Sequence, residues 1–492
     1  MIIQEDDLAA RRAGLEAQAQ FRQFMFRFGV MPCLCLAGLG GLMGLTGAND
    51  HSGWPGVFLI ALGVVFGGIA GLICLTASPG RPALQRLHKG GAQVSRLDAP
   101  MGAEGVPLGN VRLPEHLEPL HMLIEGATGT GKTQLLKNMV AHLRARGDCV
   151  VVVDTNYDMW TAFNQPDDVI LSPFDPAFPG WLPMNEVRAP SDWSAMAQSF
   201  IGDGVGEAAQ WHQMAKAMFS ATARGYQRIV EEAGDTFDHS ELFHLLTGAE
   251  AEDLAPFIHG TAAASLGIND KALNNVRMTF FETLKFWEHL RPGGFSVRKW
   301  VEQGKDRPSI FIPYRKRELP EAKNLISCWL DQIITTACDL GEDRDNRVWI
   351  IIDELSGLGE IPSLKTAVTE LRKTGFRVVA GIQNFEQVEL LYGRNGAITI
   401  TNSLSNKVIL RATDAISAER QSKLIGDARY QVMSLGQSSG TDGKRSTTQS
   451  VKEEVVRVVL ASEITTLPTL KGFVKLAGED TTYLTPIPVY QP

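Results

Sequence analysis

The chain has 492 residues, which is too long for one ordinary hydrophobic core and predicts two or three folded units. Hydrophobic residues make up 44% and charged residues 21%, an average that fits neither wholesale disorder nor a mostly membrane-embedded protein, so any apolar excess must be local. The formal net charge of −8 excludes a protein that coats nucleic acid with a basic surface, but it leaves room for a local basic channel.

Two apolar segments without charged residues, 29–46 and 57–76, follow an N-terminal tail over residues 1–28. As helices they would measure about 27 and 30 Å, which matches a bilayer core of roughly 30 Å. Arg residues precede the first segment, Arg and Lys residues follow the second, and neither type lies between them, so both ends of this hairpin (29–77) are predicted to be cytoplasmic. The alternative for the first segment is a secretory signal peptide.

A phosphate-binding motif comes next, after a Pro- and Gly-rich stalk over residues 78–120. GATGTGKT fits the pattern G-x-x-x-x-G-K-[ST] in full and lies between a predicted strand, HMLIEG, and a predicted helix. In this pattern backbone N–H groups curl around phosphates, the lysine reaches the β and γ oxygens, and the threonine holds Mg²⁺. The alternative is a chance Gly-rich turn. The predicted nucleotide-binding residues are Gly126, Ala127, Thr128, Gly129, Thr130, Gly131, Lys132 and Thr133.

The remaining chain alternates predicted strands and helices around one helical stretch. The Val run at 149–154 predicts a strand buried on both faces. Helical spacing over residues 185–300 predicts an inserted all-α domain, so the α/β nucleotide-binding domain would comprise residues 78–184 and 301–492. The polar, Gly- and Ser-rich segment 436–450 predicts a loop or hairpin tip.

A second acidic motif supplies the metal side of the predicted site. The strand VWIIID ends at Asp353, which is predicted to orient the Mg²⁺ shell with Thr133, and Glu354 is predicted to polarise the attacking water. Asp154 competes for the metal role, but it has no adjacent acid and is interpreted as a structural residue.

Two further polar residues follow on the chain. Arg372 is a candidate arginine finger that reaches a neighbouring subunit's ATP, and the alternative is a solvated basic helix face. Gln383 ends the strand FRVVAGIQ, where it would hold water or sense the γ-phosphate, and the alternative is a polar strand cap. LSGLG at 355–359 echoes the signature of ABC transporters, but it follows the Mg²⁺ aspartate instead of preceding it, so we exclude that class.

The chain resembles the type IV secretion coupling proteins of bacterial conjugation, which are membrane-anchored hexameric ATPases. The resemblance runs over roughly residues 25–490: two spans, GATGTGKT, VVVVDTNYDMW with ILSPFDP and WLPMNE, a helical insertion, and then VWIIIDELSGLGEIPSLKTAVTELRKTGFRVVAGIQN. It implies a RecA-like P-loop domain with an all-α domain, ATP and Mg²⁺ as cofactors, a homo-hexamer in the bacterial inner membrane, and single-stranded DNA as cargo. The implied partners are a relaxase in its relaxosome and the channel proteins of type IV secretion.

The family's functional residues fall on matching positions of this chain. Lys132 and Thr133 match its nucleotide and Mg²⁺ residues, and Asp353 and Glu354 match its Walker B pair. Arg372 matches its trans-acting arginine. Gln383 matches the glutamine after its strand, and Trp211 a tryptophan of its helical domain, although large aromatic residues at helical spacing are more often core. Candidates for a basic channel are Lys365, Lys373, Arg377, Lys407 and Arg411.

Three functions remain open on the sequence alone. The first is an ATP-driven pump for single-stranded DNA, which predicts hydrolysis that DNA stimulates and salt weakens. The second is a protein-export ATPase of the same secretion apparatus. The third is an assembly scaffold that binds ATP without hydrolysing it, although a scaffold has no need of a water-polarising Glu354.

Overall fold

The computed structural model of the chain describes residues 85–204, 206–264, 270–439 and 445–491. The predicted membrane spans 29–46 and 57–76 lie outside these ranges. Within the described ranges, no helix combines the length and the apolar character that crossing a membrane requires.

The strands are β1 Gln85–Gly91, β2 Gln93–Arg96, β3 Val106–Leu108, β4 Val111–Leu113, β5 Met122–Glu125, β6 Cys149–Thr155, β7 Val169–Ile170, β8 Ile310–Tyr314, β9 Val348–Ile352, β10 Phe376–Ile382, β11 Asn406–Ile409, β12 Asp427–Ser439, β13 Arg445–Arg457, β14 Lys471–Lys475 and β15 Thr481–Pro486. The helices are α1 Lys132–Arg146, α2 Asp158–Phe163, α3 Pro190–Ile201, α4 Ala208–Ala233, α5 His239–Thr247, α6 Ala251–Ile258, α7 Asp270–Thr283, α8 Val297–Glu302, α9 Leu319–Asp339, α10 Leu364–Glu370, α11 Phe385–Ser403, α12 Ala415–Ile425 and α13 Ala461–Thr465. Short 3-10 helices span Glu115–Leu120, Pro183–Glu186, Lys285–His289, Gly304–Asp306 and Leu355–Gly357.

The described residues divide into two compact units, and the smaller one is formed by residues up to Gly90 together with Arg429–Val456. A three-stranded sheet in the order β1-β12-β13 runs through this unit. The segment 436–450 was predicted as a loop or hairpin tip, but its described residues continue β12 and β13, so most of the segment is strand. The loop alternative was therefore wrong for those residues. β12 and β13 are neighbours in the sheet, and residues 440–444 between them, where a hairpin tip would fall, lie outside the described ranges.

The larger unit contains Gly91–Ala428 and Arg457–Pro492 and is built on a ten-stranded sheet in the order β2-β15-β14-β11-β5-β10-β9-β6-β8-β7. Its central strands are parallel and buried on both faces. In β6, for example, Val151 and Val153 belong to one hydrophobic core, while Val150 and Val152 belong to the core on the opposite face. The apolar run thus follows from the period of two in a strand that is covered on both sides.

The strand order places the phosphate-loop strand β5 between β10 and β11, with the Asp353 strand β9 one strand further away. This is the order of a RecA-like nucleotide-binding domain, so the predicted α/β fold with a helical insertion is confirmed. Helices α3 to α8 follow β7 and precede β8 in the chain, and they share one continuous core with the sheet. The domain boundaries at residues 185 and 300 stay a prediction.

One buried carboxylate holds the two ends of the helical insertion together. Glu186, which is 1% exposed, accepts hydrogen bonds from Trp181 Nε1 (2.7 Å) and from Ser296 Oγ (3.0 Å). It also accepts from the backbone N–H groups of Val297 (2.7 Å) and Arg298 (2.9 Å), which open α8. Because a carboxylate can accept about four such bonds, Glu186 is fully satisfied and caps the helix.

A buried ion network lies at the amino ends of the parallel strands. Arg377 of β10 is 2% exposed and donates from Nε to Glu118 Oε2 at 3.1 Å. Arg146 pairs with Glu118 at 2.6 Å and with Asp148, and Trp349 Nε1 donates to Asp148 at 2.9 Å. Burial lowers the pKa of Arg377, because a charged guanidinium loses its hydration there. The cationic and anionic members therefore depend on each other.

Replacing Arg377 with Met is expected to lower the free energy of unfolding by roughly 3 kcal/mol, because it leaves a buried Glu118 with Arg146 as its remaining partner. The measurement is the midpoint of urea unfolding at constant slope. Lys373→Met is the matched control, since Lys373 is exposed and its substitution should change the midpoint little. An Arg377→Met variant as stable as the Lys373→Met control would contradict this account of the network.

Candidate nucleotide-binding and hydrolysis site

Three predicted motifs meet at the carboxyl edge of the central sheet. In the parallel registers Ile382 of β10 pairs with Glu125 of β5, and Ala380 pairs with Ile352 of β9. The residues that follow these strand ends therefore lie side by side. The structure brings together the loop 126–131, the Asp353 pair and Gln383, as the parallel order of the strands requires.

The loop of residues 126–131 is shaped by backbone bonds and by glycine. Gly126 N donates to Ile382 O at 3.1 Å, and Ala127 N donates to Arg411 O at 3.0 Å, so the loop is tied to both neighbouring strands. Gly131 has a φ of 119°, and a Cβ at Gly126 would lie 2.5 Å from Leu410 Cβ. Side chains do not fit at these two positions, so this backbone path requires glycine.

Helix α1 aims its amino end at this loop. Its apolar residues Leu136, Met139, Val140 and Leu143 recur at helical spacing and are buried against the sheet. The helix ends at Arg146 and is capped by Gly147, whose φ of 83° lies in the left-handed region that favours glycine. The exposed backbone N–H groups at its start favour anions, so the packing of α1 orients a phosphate site.

The basic and acidic site residues contact each other directly. Lys132 Nζ lies 3.1 Å from Glu354 Oε2, and Thr133 Oγ1 donates to Asp353 Oδ2 at 3.3 Å. Burial raises the pKa of Asp353, and the nearby charge of Lys132 and the Thr133 hydrogen bond lower it. The other Asp353 oxygen, Oδ1, is buried without a hydrogen-bond partner. A hydroxyl beside a carboxylate with a free oxygen is a donor set that suits Mg²⁺.

Asp154 has a different task from that of Asp353. Its Oδ2 accepts hydrogen bonds from Met159 N (2.9 Å) and Trp160 N (2.8 Å), which begin α2. Burial raises the pKa of Asp154 to about 6. Because its carboxylate already caps a helix, Asp154 serves the backbone, in line with the structural interpretation.

Gln383 and Arg372 flank the two ends of strand β10, so Gln383 lies at the edge formed by the carboxyl ends of the parallel strands and Arg372 at the edge formed by their amino ends. Gln383 follows β10 beside the loop, half-buried, and Arg372 precedes the same strand and donates to Ser403 O at 3.5 Å. Seven strand residues separate these edges, which is roughly 23 Å at about 3.3 Å per residue. Arg372 therefore cannot reach the phosphate loop of its own chain, and its predicted role requires a neighbouring subunit.

Two of the five predicted channel residues are wrong. Arg377 is buried in the ion network described above, and Lys407 is 8% exposed, with its Nζ donating to the carbonyl oxygens of Thr401 and Leu404 at the end of α11. Lys365 pairs with Glu360 at 3.0 Å and keeps about a third of its side chain exposed. Lys373 is exposed and Arg411 half-buried, so these two and Lys365 stay channel candidates.

Trp211 is half-exposed and does not belong to the buried core. It lines a surface hollow of about 440 Å³ together with Met278 and Phe281, which are 67% and 52% exposed. The interpretation of Trp211 as an ordinary core residue is therefore wrong. A functional role for this residue stays a prediction.

No local sequence pattern predicted several of the contacts that hold the site. Arg420 of α12 pairs with Glu125, the last residue before the loop, and lies 4.2 Å from the ring centroid of Phe385. Leu470 N donates to Thr130 O at 3.0 Å. Glu125 and Thr130 lie hundreds of residues from their partners Arg420 and Leu470, and only the fold brings them together.

A family model described as the type IV secretion-system coupling protein DNA-binding domain matches residues 106–485 of the chain. The chain belongs to this family of coupling proteins. The resemblance inferred from the sequence motifs is thereby confirmed.

Individual relatives agree with the family match. The coupling protein TraD of Escherichia coli (strain K12) is 25% identical over 386 residues, which cover 76% of this chain and 53% of TraD. The chain thus spans about half the length of that curated relative. Among solved structures, the unbound bacterial conjugative coupling protein TrwBdeltaN70 is similar with a TM-score of 0.73 and 32% identity, covering 84% of this chain and 97% of TrwBdeltaN70. Plasmid coupling protein TrwB in complex with ADP and Mg²⁺ has a TM-score of 0.72 at the same identity and coverage.

Proposed function

We propose that the chain is a P-loop ATPase that couples the DNA-processing complex to a type IV secretion channel and pumps single-stranded DNA during conjugation. The observation that carries the proposal is the contact of Lys132 with Glu354 and of Thr133 with Asp353 at the edge of the RecA-like sheet. The presence of all four residues supports an enzyme that hydrolyses ATP rather than an assembly scaffold that only binds it. The family match supports DNA as cargo.

The nucleotide is ATP with Mg²⁺, in line with the TrwB complex that holds ADP and Mg²⁺. Backbone N–H groups of residues 126–131 and the Lys132 ammonium bind the phosphates, and Thr133 with Asp353 holds the metal. Bound Mg²⁺ neutralises the charge that develops on the transferred phosphoryl group. Glu354 accepts a hydrogen bond from the attacking water, and Gln383 orients that water or contacts the γ-phosphate.

Arg372 completes the site from a neighbouring subunit. Its distance from the loop of its own chain motivates this role, and a planar guanidinium suits the developing phosphoryl charge. The proposal therefore includes a closed homo-hexamer, in which each ATP lies between two chains.

The membrane location and the partners complete the proposal. The apolar segments 29–46 and 57–76 anchor the chain in the bacterial inner membrane, with both termini and the ATPase domain in the cytoplasm. The partners are the relaxase in its relaxosome and the channel proteins of the secretion system. Lys365, Lys373 and Arg411 contact the DNA backbone as it passes.

The test is ATP hydrolysis by the full chain, with and without single-stranded DNA, across a salt series. DNA is expected to raise turnover severalfold at about 50 mM salt and to lose most of this effect by about 200 mM, because phosphate contacts release counterions. Lys132→Ala supplies the blank. Hydrolysis that ignores DNA would overturn DNA pumping and favour protein export, and a membrane-assembled protein that binds ATP without turnover would favour a scaffold.

A further inference from the structure

The catalytic candidate Glu354 is held by two partners on its two oxygens. Oε2 contacts the Lys132 ammonium at 3.1 Å, and Oε1 accepts a hydrogen bond from Ser356 Oγ. Ser356 lies in the 3-10 turn Leu355–Gly357, which folds the chain back so that this hydroxyl reaches Glu354 two residues earlier. The LSGLG sequence that follows the acidic pair is this turn.

Ser356 also contacts the start of α11. Its Oγ lies 2.9 Å from Gln387 Oε1, and Gln387 N donates to Asn384 Oδ1 at 3.0 Å. A hydroxyl has one proton, so Ser356 cannot donate to Glu354 Oε1 and Gln387 Oε1 at once. When the proton serves Glu354, a half-turn of the Gln387 amide exchanges its oxygen and nitrogen, and the NH₂ group donates to the serine oxygen. Donation then runs in one direction, from Gln387 through Ser356 to Glu354.

This direction matters when a nucleotide occupies the site. Phosphates compete with Glu354 Oε2 for the Lys132 ammonium and draw it toward the nucleotide, because they carry more negative charge than one carboxylate. The Ser356 hydroxyl still holds Oε1, so the carboxylate keeps its orientation and Oε2 becomes free to accept a proton from water. Without this hydroxyl, the side chain of Glu354 can rotate among its rotamers at the moment when its orientation counts.

We propose that Ser356 and Gln387 are positioning residues for hydrolysis, which hold Glu354 in line for the attacking water after Lys132 has moved to the nucleotide. The proposal rests on the ATPase function proposed above. Through Gln387 it also links Glu354 to the first turn of α11, whose cap residue Asn384 directly follows Gln383.

The test compares Ser356→Ala, Ser356→Thr and Gln387→Leu in the full chain by two readouts, turnover and the affinity for a fluorescent ATP analogue. Ser356→Ala is expected to lower kcat by about 10- to 100-fold through misplacement of Glu354. Its affinity for the analogue should stay within about threefold of the wild type, because the side-chain hydrogen bonds of Ser356 go to Glu354 and Gln387 rather than to the loop 126–131. Ser356→Thr restores the hydroxyl and should recover most of kcat, and Gln387→Leu should lower kcat by less than Ser356→Ala.

Ser240→Ala is the matched control, since Ser240 is an exposed serine in the first turn of α5. Unchanged kcat in Ser356→Ala, or equal losses in Ser356→Ala and Ser356→Thr, would overturn the positioning role. An affinity that falls in step with kcat would assign Ser356 to the general architecture of the site and would also overturn it. A wild-type protein that binds the analogue without turnover would instead overturn the proposed ATPase, so the two failures are distinguishable.

Discussion

Replacing Lys132 with Ala is expected to abolish ATP binding and hydrolysis together. Lys132 is 8% exposed at the first position of α1, where its ammonium and the helix amino end point at the same phosphate site. Loss of this charge should weaken the affinity for a fluorescent ATP analogue by at least about 100-fold, which corresponds to roughly 3 kcal/mol. The shift of the thermal unfolding midpoint by ATP and Mg²⁺ should disappear with it.

Lys137→Ala is the matched control for this variant. Lys137 lies on the same helix, is half-buried and makes no contact with the acidic pair, so its substitution should leave nucleotide affinity unchanged. If Lys132→Ala bound the analogue as tightly as Lys137→Ala, the loop would not be the nucleotide site. The Lys132–Glu354 contact would then be an ordinary ion pair.

The Lys132→Ala variant also allows a test of the proposal that Arg372 acts on the ATP of a neighbouring subunit. Chains with Lys132→Ala keep Arg372, and chains with Arg372→Ala keep an intact phosphate loop. Mixed hexamers should therefore regain hydrolysis that neither variant shows alone, because each arginine serves the neighbouring site. Absence of recovery at every mixing ratio would place the action of Arg372 within its own chain or outside catalysis.

Replacing Glu354 with Gln is expected to separate binding from hydrolysis. Gln cannot accept a proton from water, so kcat should fall by about 10²- to 10⁴-fold. The change also removes the carboxylate that holds Lys132 at 3.1 Å, so the lysine is free to meet phosphate. If the ion pair contributes about 1 kcal/mol, which the nucleotide no longer has to overcome, the affinity for ATP should rise by up to about fivefold.

Single-turnover hydrolysis and analogue binding, measured on the same preparation, check both parts of this prediction. Glu342→Gln provides the control, since Glu342 is exposed in the loop before β9, at the opposite edge of the sheet. Retained turnover in Glu354→Gln would show that another group activates water. A loss of affinity would show that Glu354 supports the shape of the site rather than the chemistry.

Local patterns were sufficient to predict the core of the fold and most of the site. GATGTGKT and VWIIIDE each specify a strand with its following polar residues, and a parallel sheet places such strand ends at one edge. The strand order, which places β10 between them, was not predicted and comes from the structure. In both segments, the residues that form the strand and the site residues that follow it lie within a few positions of each other.

The missed features depend on partners that are remote in the chain. Arg377 has the appearance of a surface cation in its local sequence, but its acid Glu118 comes from a 3-10 helix 259 residues earlier. Glu186 resembles any exposed loop acid until Ser296 and Val297 close around it. No local pattern encodes such pairings, because burial and charge compensation arise only after the sheet has formed.

The contact between Lys132 and Glu354 has a further consequence for selectivity. A phosphate loop with an unpaired lysine would bind many anions without selectivity. Under the proposed function the protein also contacts single-stranded DNA, which carries a phosphate on every nucleotide. With its own carboxylate as a competitor, the loop presents little net positive charge, so a single diester phosphate with one negative charge gains little by displacing Glu354. A triphosphate with Mg²⁺ offers several ligands at once and can displace it. The ion pair would therefore let the phosphate loop bind ATP with Mg²⁺ in preference to the phosphates of single-stranded DNA.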